Sequence, residues 1–266
     1  MKKEYSGEIL FQEMMYEGCY RMVIKTDEDF LKAAKPGQFI HLKINQLGSP
    51  LLRRPFSIHR IDLEQKTISL LYAVVGKGTM TMAMDLPGKI VGILGPLGTG
   101  FPLPDNSGGS IVLIGGGLGA APLLFTAEKL VERNIKTTAI LGYADHQKVM
   151  LEKDFKRLGV TTFITTEDGS QGHKGYPTEL LEQLIRSSKI NTVFTCGPEI
   201  MMNKVAVICE DHGVSAWASL EEKMACGIGA CLGCVVRIKD EAGGHYEKAC
   251  KEGPVFKASE VIFHEH

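Results

Sequence analysis

The chain has 266 residues, 44% hydrophobic and 23% charged, the proportions of an ordinary soluble globular protein, and its length predicts two or more domains. With 30 basic against 31 acidic residues the formal charge is −1, so no bulk field favours nucleic acid or an anionic lipid surface, and no apolar run is long enough for a membrane span. The N-terminal MKKEYSGEILFQEMMYEG lacks the apolar core of a signal peptide; seven cysteines without an export signal predict a cytoplasmic chain, where clustered cysteines bind metal or do redox chemistry more often than they pair.

In chain order, QFIHLKI (38–44), FSIHRIDL (56–63), TISLLYAVV (67–75) and KIVGILGPL (89–97) read as short strands, and GTMTMAMDLP (78–87) as one helical patch among them. Several strands with a single short helix predict a β-barrel. FPLPDNSGGS (101–110) has the composition of a linker. The pattern then changes. SIVLIGGG, TTAILGYA, VTTFITTEDGS and NTVFTCGP read as strands, alternating with helical AAPLLFTAEKLVERN, EKDFKRLG, PTELLEQLIRSS and EIMMNKVAVICEDHG. That alternation predicts βαβ units and a parallel sheet. The chain closes on a cysteine loop and VVRIKDEAGGHYEKAC, which reads as a hairpin around Ala242-Gly243-Gly244. The predicted fold class is α+β and multi-domain: an antiparallel β-barrel over 1–104, an α/β parallel-sheet domain over 105–215, and a cysteine loop with a hairpin over 216–266.

Four stretches carry candidate chemistry. In GGGLGAAPL, Gly115, Gly116, Gly117 and Gly119 stand between a buried strand and a helix. Glycines there let backbone approach a phosphate at a helix N-terminus, although a tight turn without a ligand has the same composition. Cys196, Gly197 and Pro198 end the last predicted strand of the block, at the edge where α/β sheets bind ligands; a lone cysteine there is also a common small buried residue. LLRRPFSIHR sets Arg53 and Arg54 beside Pro55, Phe56 and Ser57, joining a phosphate-binding fork to a flat apolar face and a hydroxyl. The bland reading is the start of a strand. YAVVGKGTMTM adds Gly76, Gly78 and Thr79 ahead of the short helix, a second phosphate position or simply a cap.

The cysteines are the strongest signal. Cys226, Cys231 and Cys234 form C-x4-C-x2-C, and Cys250 follows, which is the plant-type [2Fe–2S] spacing. The first pair suits one iron and the second pair the other, and Gly227, Gly229 and Gly233 free backbone N–H groups to wrap the sulfides. Zinc competes, but its sites tend to pair two C-x2-C arms and only 231–234 has that form. Buried structural thiols are the third alternative.

With these constellations in one order, the chain resembles the ferredoxin-NADP⁺ reductase superfamily. RPFS is similar to its R-x-[YF]-S flavin motif, GGGLGAAP to its nicotinamide-nucleotide loop, and CGP to the signature ending its nucleotide domain. A C-terminal cluster loop narrows the resemblance to electron-transfer subunits of NAD-linked (type B) dihydroorotate dehydrogenases. PLLRRP, GKGT, LGPLG, DGS-G-KG, SLEEKMACGIGACLGCVV and GPVF also resemble that family, so the likeness spans nearly the whole chain.

The resemblance implies that Arg54, Pro55, Phe56 and Ser57 hold FAD, with Leu71, Tyr72, Ala73, Gly78 and Thr79 on its other side and at its pyrophosphate. It implies that the glycine loop and Cys196–Pro198 receive NAD, and that Cys226, Cys231, Cys234 and Cys250 carry the cluster. Two departures stand out: Ala73 where many members have a basic residue, and only 15 residues between the third and fourth cysteines. The implied function is electron transfer from an FMN-containing catalytic subunit through [2Fe–2S] and FAD to NAD⁺, in pyrimidine (UMP) biosynthesis, with two copies of each chain. No dihydroorotate site is evident, so the chain alone would act as an NADH diaphorase. The alternative is the small subunit of an NADH-dependent ferredoxin:NADP⁺ oxidoreductase or sulfide dehydrogenase. The first of those has an aspartate in place of the first cluster cysteine, and Cys226 departs from it. A zinc-bearing binding module is the third possibility. Met224–Gly233 carries no charge, so this loop is expected either to face the catalytic subunit or to pack inward. Glu167 and Asp168, expected near the adenosine ribose, would repel the extra phosphate of NADP.

Overall fold

The computed structural model describes residues 3–44, 51–105 and 109–263; Pro50 of PLLRRP and residues 106–108 of the linker lie outside them. Seven antiparallel strands form the first sheet: β1 (Lys3–Tyr16), β2 (Cys19–Thr26), β3 (Phe39–Lys43), β4 (Arg54–Ser57), β5 (Arg60–Asp62), β6 (Thr67–Ala73) and β7 (Ile90–Leu97), in the order β4-β3-β7-β1-β2-β6-β5. The two edge strands are one bent segment. The Ile58 N–H donates to Gln38 O and the next amide, His59, to Ser69 O, both at 3.0 Å. The bend therefore stitches the opposite edges together and closes the sheet into the expected barrel, which removes its free edges. Ile40, Leu42, Ile58, Ile68, Leu70 and Ile93 fill the interior.

Two helices accompany this sheet, α1 (Glu28–Ala33) and α2 (Lys77–Ala83), where a single patch was expected. At six residues, α1 is too short to display a helical period. β1 and β2 were also not foreseen. Bulges between Ile9 and Phe11 and between Met14 and Tyr16 break the alternation of β1.

The second unit holds β8 (Ser110–Gly116), α3 (Ala120–Glu132), β9 (Lys136–Tyr143), α4 (Glu152–Arg157), β10 (Thr161–Thr166), β11 (His173–Lys174), α5 (Pro177–Ser187), β12 (Thr192–Cys196), α6 (Glu199–Asp211) and β13 (Ser215–Ser219). The hairpin β14 (Val235–Ile238) and β15 (His245–Lys248) follows, then β16 (Val255–Lys257). The sheet order is β11-β10-β9-β8-β12-β13-β16, parallel except for β16 against β13. The chain winds outward from β8, then returns to its other side at β12. That reversal opens a crevice beyond the carboxyl ends of β8 and β12, where such sheets bind ligands.

β13 begins at the boundary expected between 215 and 216, so the C-terminal segment starts inside this sheet and returns to it through β16. The barrel is tied to α3 by His59, whose Nδ1 lies 2.8 Å from Ala121 O, and by Arg60–Glu128 at 2.7 Å. Phe125 of α3 is buried within the barrel core. Among the described residues, no helix is long and apolar enough to cross a membrane.

Candidate functional site

A cavity of about 340 Å³ opens where the barrel meets α3, within the size range of small-molecule sites. Arg54, Pro55, Phe56 and Ser57 of β4 line one side; Leu71, Tyr72 and Ala73 of β6 and Thr79 of α2 line the other. The Phe56 and Tyr72 rings stand 5.7 Å apart. The two arginines part company. Arg53 is committed to Glu4 at 2.7 Å and to Gly92 O at 3.3 Å, whereas Arg54 turns toward α2 and lies over Gly78. A β-carbon on Gly78 would stand 2.7 Å from Arg54 Nε. Gly78 does not line the cavity, but its lack of a side chain makes room for the guanidinium. The Thr79 hydroxyl is taken up locally, accepting from the Val75 and Gly76 N–H groups.

A second cavity, about 380 Å³, lies in the crevice beyond β8 and β12. Gly116, Gly119, Gly197 and Pro198 border it. The other expected residues of this group serve the turn itself. Gly115 is backed against Ala120, with 2.9 Å between a β-carbon position and Ala120 Cα. Gly117 stands open, and Cys196 is 1% exposed with its thiol pushed up by burial and then by the charge of Glu221. The Cys196 side chain lines neither cavity; its carbonyl is what abuts Gly119. Glu167 and Asp168, at the end of β10, line neither cavity. Ser170 holds the Asp168 carboxyl below its ordinary range.

The two cavities share a wall of Leu118, Leu220, Glu221 and Glu222. Sequence reasoning missed these residues as individuals, because only the exit of the unforeseen β13 puts 220–222 there. Glu221 is exposed yet lines both cavities, and desolvation raises its pKa. Two residues past this wall, Met224 lines the first cavity, and Cys226 follows.

The four cysteines stand as two pairs. Cys226 hydrogen-bonds with Cys231, and Cys234 with Cys250. Backbone N–H groups aim at the sulfurs: Gly229 to Cys250 Sγ at 3.1 Å, and Cys231 and Ile228 to Cys226 Sγ at 3.4 and 3.5 Å. Burial pushes the Cys226 thiol up, but these donors outweigh it and bring the pKa to about 6. Burial, reinforced by Cys234, pushes Cys250 up to about 11. Among the described residues, no three His, Cys, Asp or Glu side chains gather around a single-ion position. Two thiol pairs with amides directed at sulfur fit a two-iron cluster, and it is the C-x4-C-x2-C spacing that separates it from a tetrahedral zinc site. The loop's apolar residues divide: Met224 packs inward, while Ile228 and Leu232 are 43% and 73% exposed.

A closed barrel and a switch-point sheet meeting along one crevice is the architecture of ferredoxin-reductase-like oxidoreductases. A solved ferredoxin NADP⁺ reductase from Neisseria gonorrhoeae shares this fold, with a TM-score of 0.66 and 20% identity over 79% of this chain and 92% of that one. The NADH-dependent reduced ferredoxin-NADP oxidoreductase structure is nearer, at a TM-score of 0.86 and 29% identity over 97% of this chain and 90% of its own. The model for an oxidoreductase NAD-binding domain matches residues 113–206, and that for the iron-sulfur cluster binding domain of dihydroorotate dehydrogenase B matches 221–262. The dihydroorotate dehydrogenase B (NAD(+)) electron transfer subunit of Desulforamulus reducens is 36% identical over 99% of this chain and all of its own length. Its counterpart in Geobacillus sp. is 40% identical over 85% of this chain and 86% of its own. The chain belongs to this family of electron transfer subunits.

Proposed function

We propose that this chain carries electrons from an FMN-bearing dihydroorotate dehydrogenase subunit to NAD⁺ in pyrimidine biosynthesis, in the cytoplasm and as an assembly of two copies of each chain. Residues 1–104 serve FAD, 105–215 NAD and 216–266 the cluster. The observation that carries this reading is continuity: the segment leaving β13 walls both cavities at Glu221 and Glu222 and supplies Cys226 four residues later. A [2Fe–2S] group supplies single-electron transfer, NAD⁺ accepts a hydride, and a flavin connects the two regimes. This chain's part is to hold the three sites at fixed separations. Arg54 offers its fork to a pyrophosphate, Phe56 and Tyr72 supply apolar faces, and the sulfur-directed amides of Ile228, Gly229 and Cys231 settle negative charge on the cysteines.

The chain purified with its cofactors should display flavin and iron–sulfur absorption together and oxidise NADH with an artificial acceptor. Adding the catalytic subunit should couple orotate formation to NADH formation. Zinc in place of iron, or no coupling, would overturn the reading. The high structural likeness to the ferredoxin-NADP oxidoreductase favours that activity as the second reading. NADH-dependent transfer between ferredoxin and NADP⁺ without orotate chemistry would select it.

Two further outcomes follow from named residues. Arg54→Ala removes a charge-assisted partner at the cavity mouth and should weaken FAD binding by about 1.5–3 kcal/mol, read as flavin lost on dilution. Full FAD content at unchanged affinity would displace the pyrophosphate from Arg54. Glu167 and Asp168 at the end of β10 should repel a 2′-phosphate, so NADH should exceed NADPH in kcat/KM. Equal values would remove both carboxylates from the ribose site.

A further inference from the structure

His41 lies on β3 between Ile40 and Leu42, which point into the barrel core. By strand alternation its side chain points outward, where barrel residues ordinarily meet water. It is instead completely covered, at 0% exposure. The cysteine loop lies against it: a β-carbon on Gly227 would stand 2.6 Å from His41 Cε1 and 2.8 Å from each ring nitrogen. Gly227 also has φ +65°, so that position favours glycine on conformational as well as steric grounds.

Neither ring nitrogen of His41 has a hydrogen-bond partner among the described residues. Two of its other neighbours among the described residues supply no acceptor. The Phe39 ring, 5.8 Å away, is apolar. Arg53 is itself a donor already engaged by Glu4 and Gly92 O. Buried polar groups rarely stay unpaired, and the covering surface here is the turn that begins at Cys226.

We propose that His41 is a positioning residue for the cluster, donating a ring N–H to a sulfur of the [2Fe–2S] group or its Cys226 ligand and so raising the cluster's reduction potential. The inference rests on the cluster reading of Cys226, Cys231, Cys234 and Cys250. Reduction adds negative charge that spreads onto the sulfurs, so a donor aimed at them stabilises the reduced state more than the oxidised one. The barrel that serves the flavin thereby also sets the driving force into it. A histidine with a purely structural role would pack against the loop without moving the potential.

The test uses the whole chain, purified with FAD and cluster, and an EPR-monitored redox titration. His41→Leu keeps apolar bulk but removes the donor, and should shift the cluster midpoint to lower potential while the FAD midpoint stays in place. His41→Gln retains an N–H and should recover part of the shift. Independently of any variant, pulsed EPR of the reduced wild-type chain labelled with ¹⁵N-histidine should reveal coupling to a histidine nitrogen. An unshifted midpoint in His41→Leu, or no histidine coupling in the wild type, overturns the inference while leaving the cluster reading intact. A wild-type chain without an iron–sulfur signal overturns both.

Discussion

Gly119→Ala should cost roughly 3 kcal/mol of stability, at the upper end for overpacked sites, and should impair NADH oxidation more than flavin or iron content. A β-carbon at this position would sit 2.2 Å from Cys196 O, 2.4 Å from Cys196 C and 2.5 Å from Gly197 N. All three are backbone atoms at the end of β12, so no side chain can swing aside. Relief requires the turns after β8 and β12 to separate, and those two turns border the cavity proposed for the nucleotide. The thermal midpoint of the α/β unit should fall on the order of 10 °C, with a raised KM for NADH. Gly117→Ala is the control. Nothing lies within 4 Å of its β-carbon position, and its φ of +55° costs an alanine only about 1–2 kcal/mol. If the two variants melt together with equal KM, the Gly119–Cys196 contact does not hold the cavity border.

How much of this was legible beforehand depended on how local each feature is. Cys226, Cys231 and Cys234 lie within nine residues, and ligand spacing that short is a property of the loop itself. The turns after β8 and β12 were readable for the same reason, since glycine and proline mark them directly. β1 was not, because its bulges interrupt the period and leave Phe11 and Met14 exposed. β13 and β16, at five and three residues, join the sheet only through long-range pairing, β13 with β12 at a separation of 23 positions and with β16 at about 40. That pairing places Glu221 and Glu222 between the cavities. His41 was hidden most completely: its parity on β3 says surface, and only the tertiary cover of the cysteine loop says otherwise.

Ile228→Glu should leave this chain intact and weaken its assembly with the catalytic subunit roughly a hundredfold or more. The free chain exposes Ile228 and Leu232 at 43% and 73%, on the uncharged turn that supplies three of the four cysteines. A carboxylate at either position is solvated in the isolated chain, so FAD, cluster and diaphorase activity should survive. An electron donor that brings its own cofactor close to the cluster would cover this turn. The glutamate would then be desolvated without a partner, at about 3 kcal/mol or more, roughly a hundredfold or more in dissociation constant. Leu232→Glu should act in the same direction. Met224, which packs inward, should behave differently: Met224→Glu is expected to destabilise the chain itself. Co-purification with the catalytic subunit, and NADH formation driven by dihydroorotate, read the outcome. If Ile228→Glu assembles with unchanged affinity and still couples the two half-reactions, electrons enter the chain by another face.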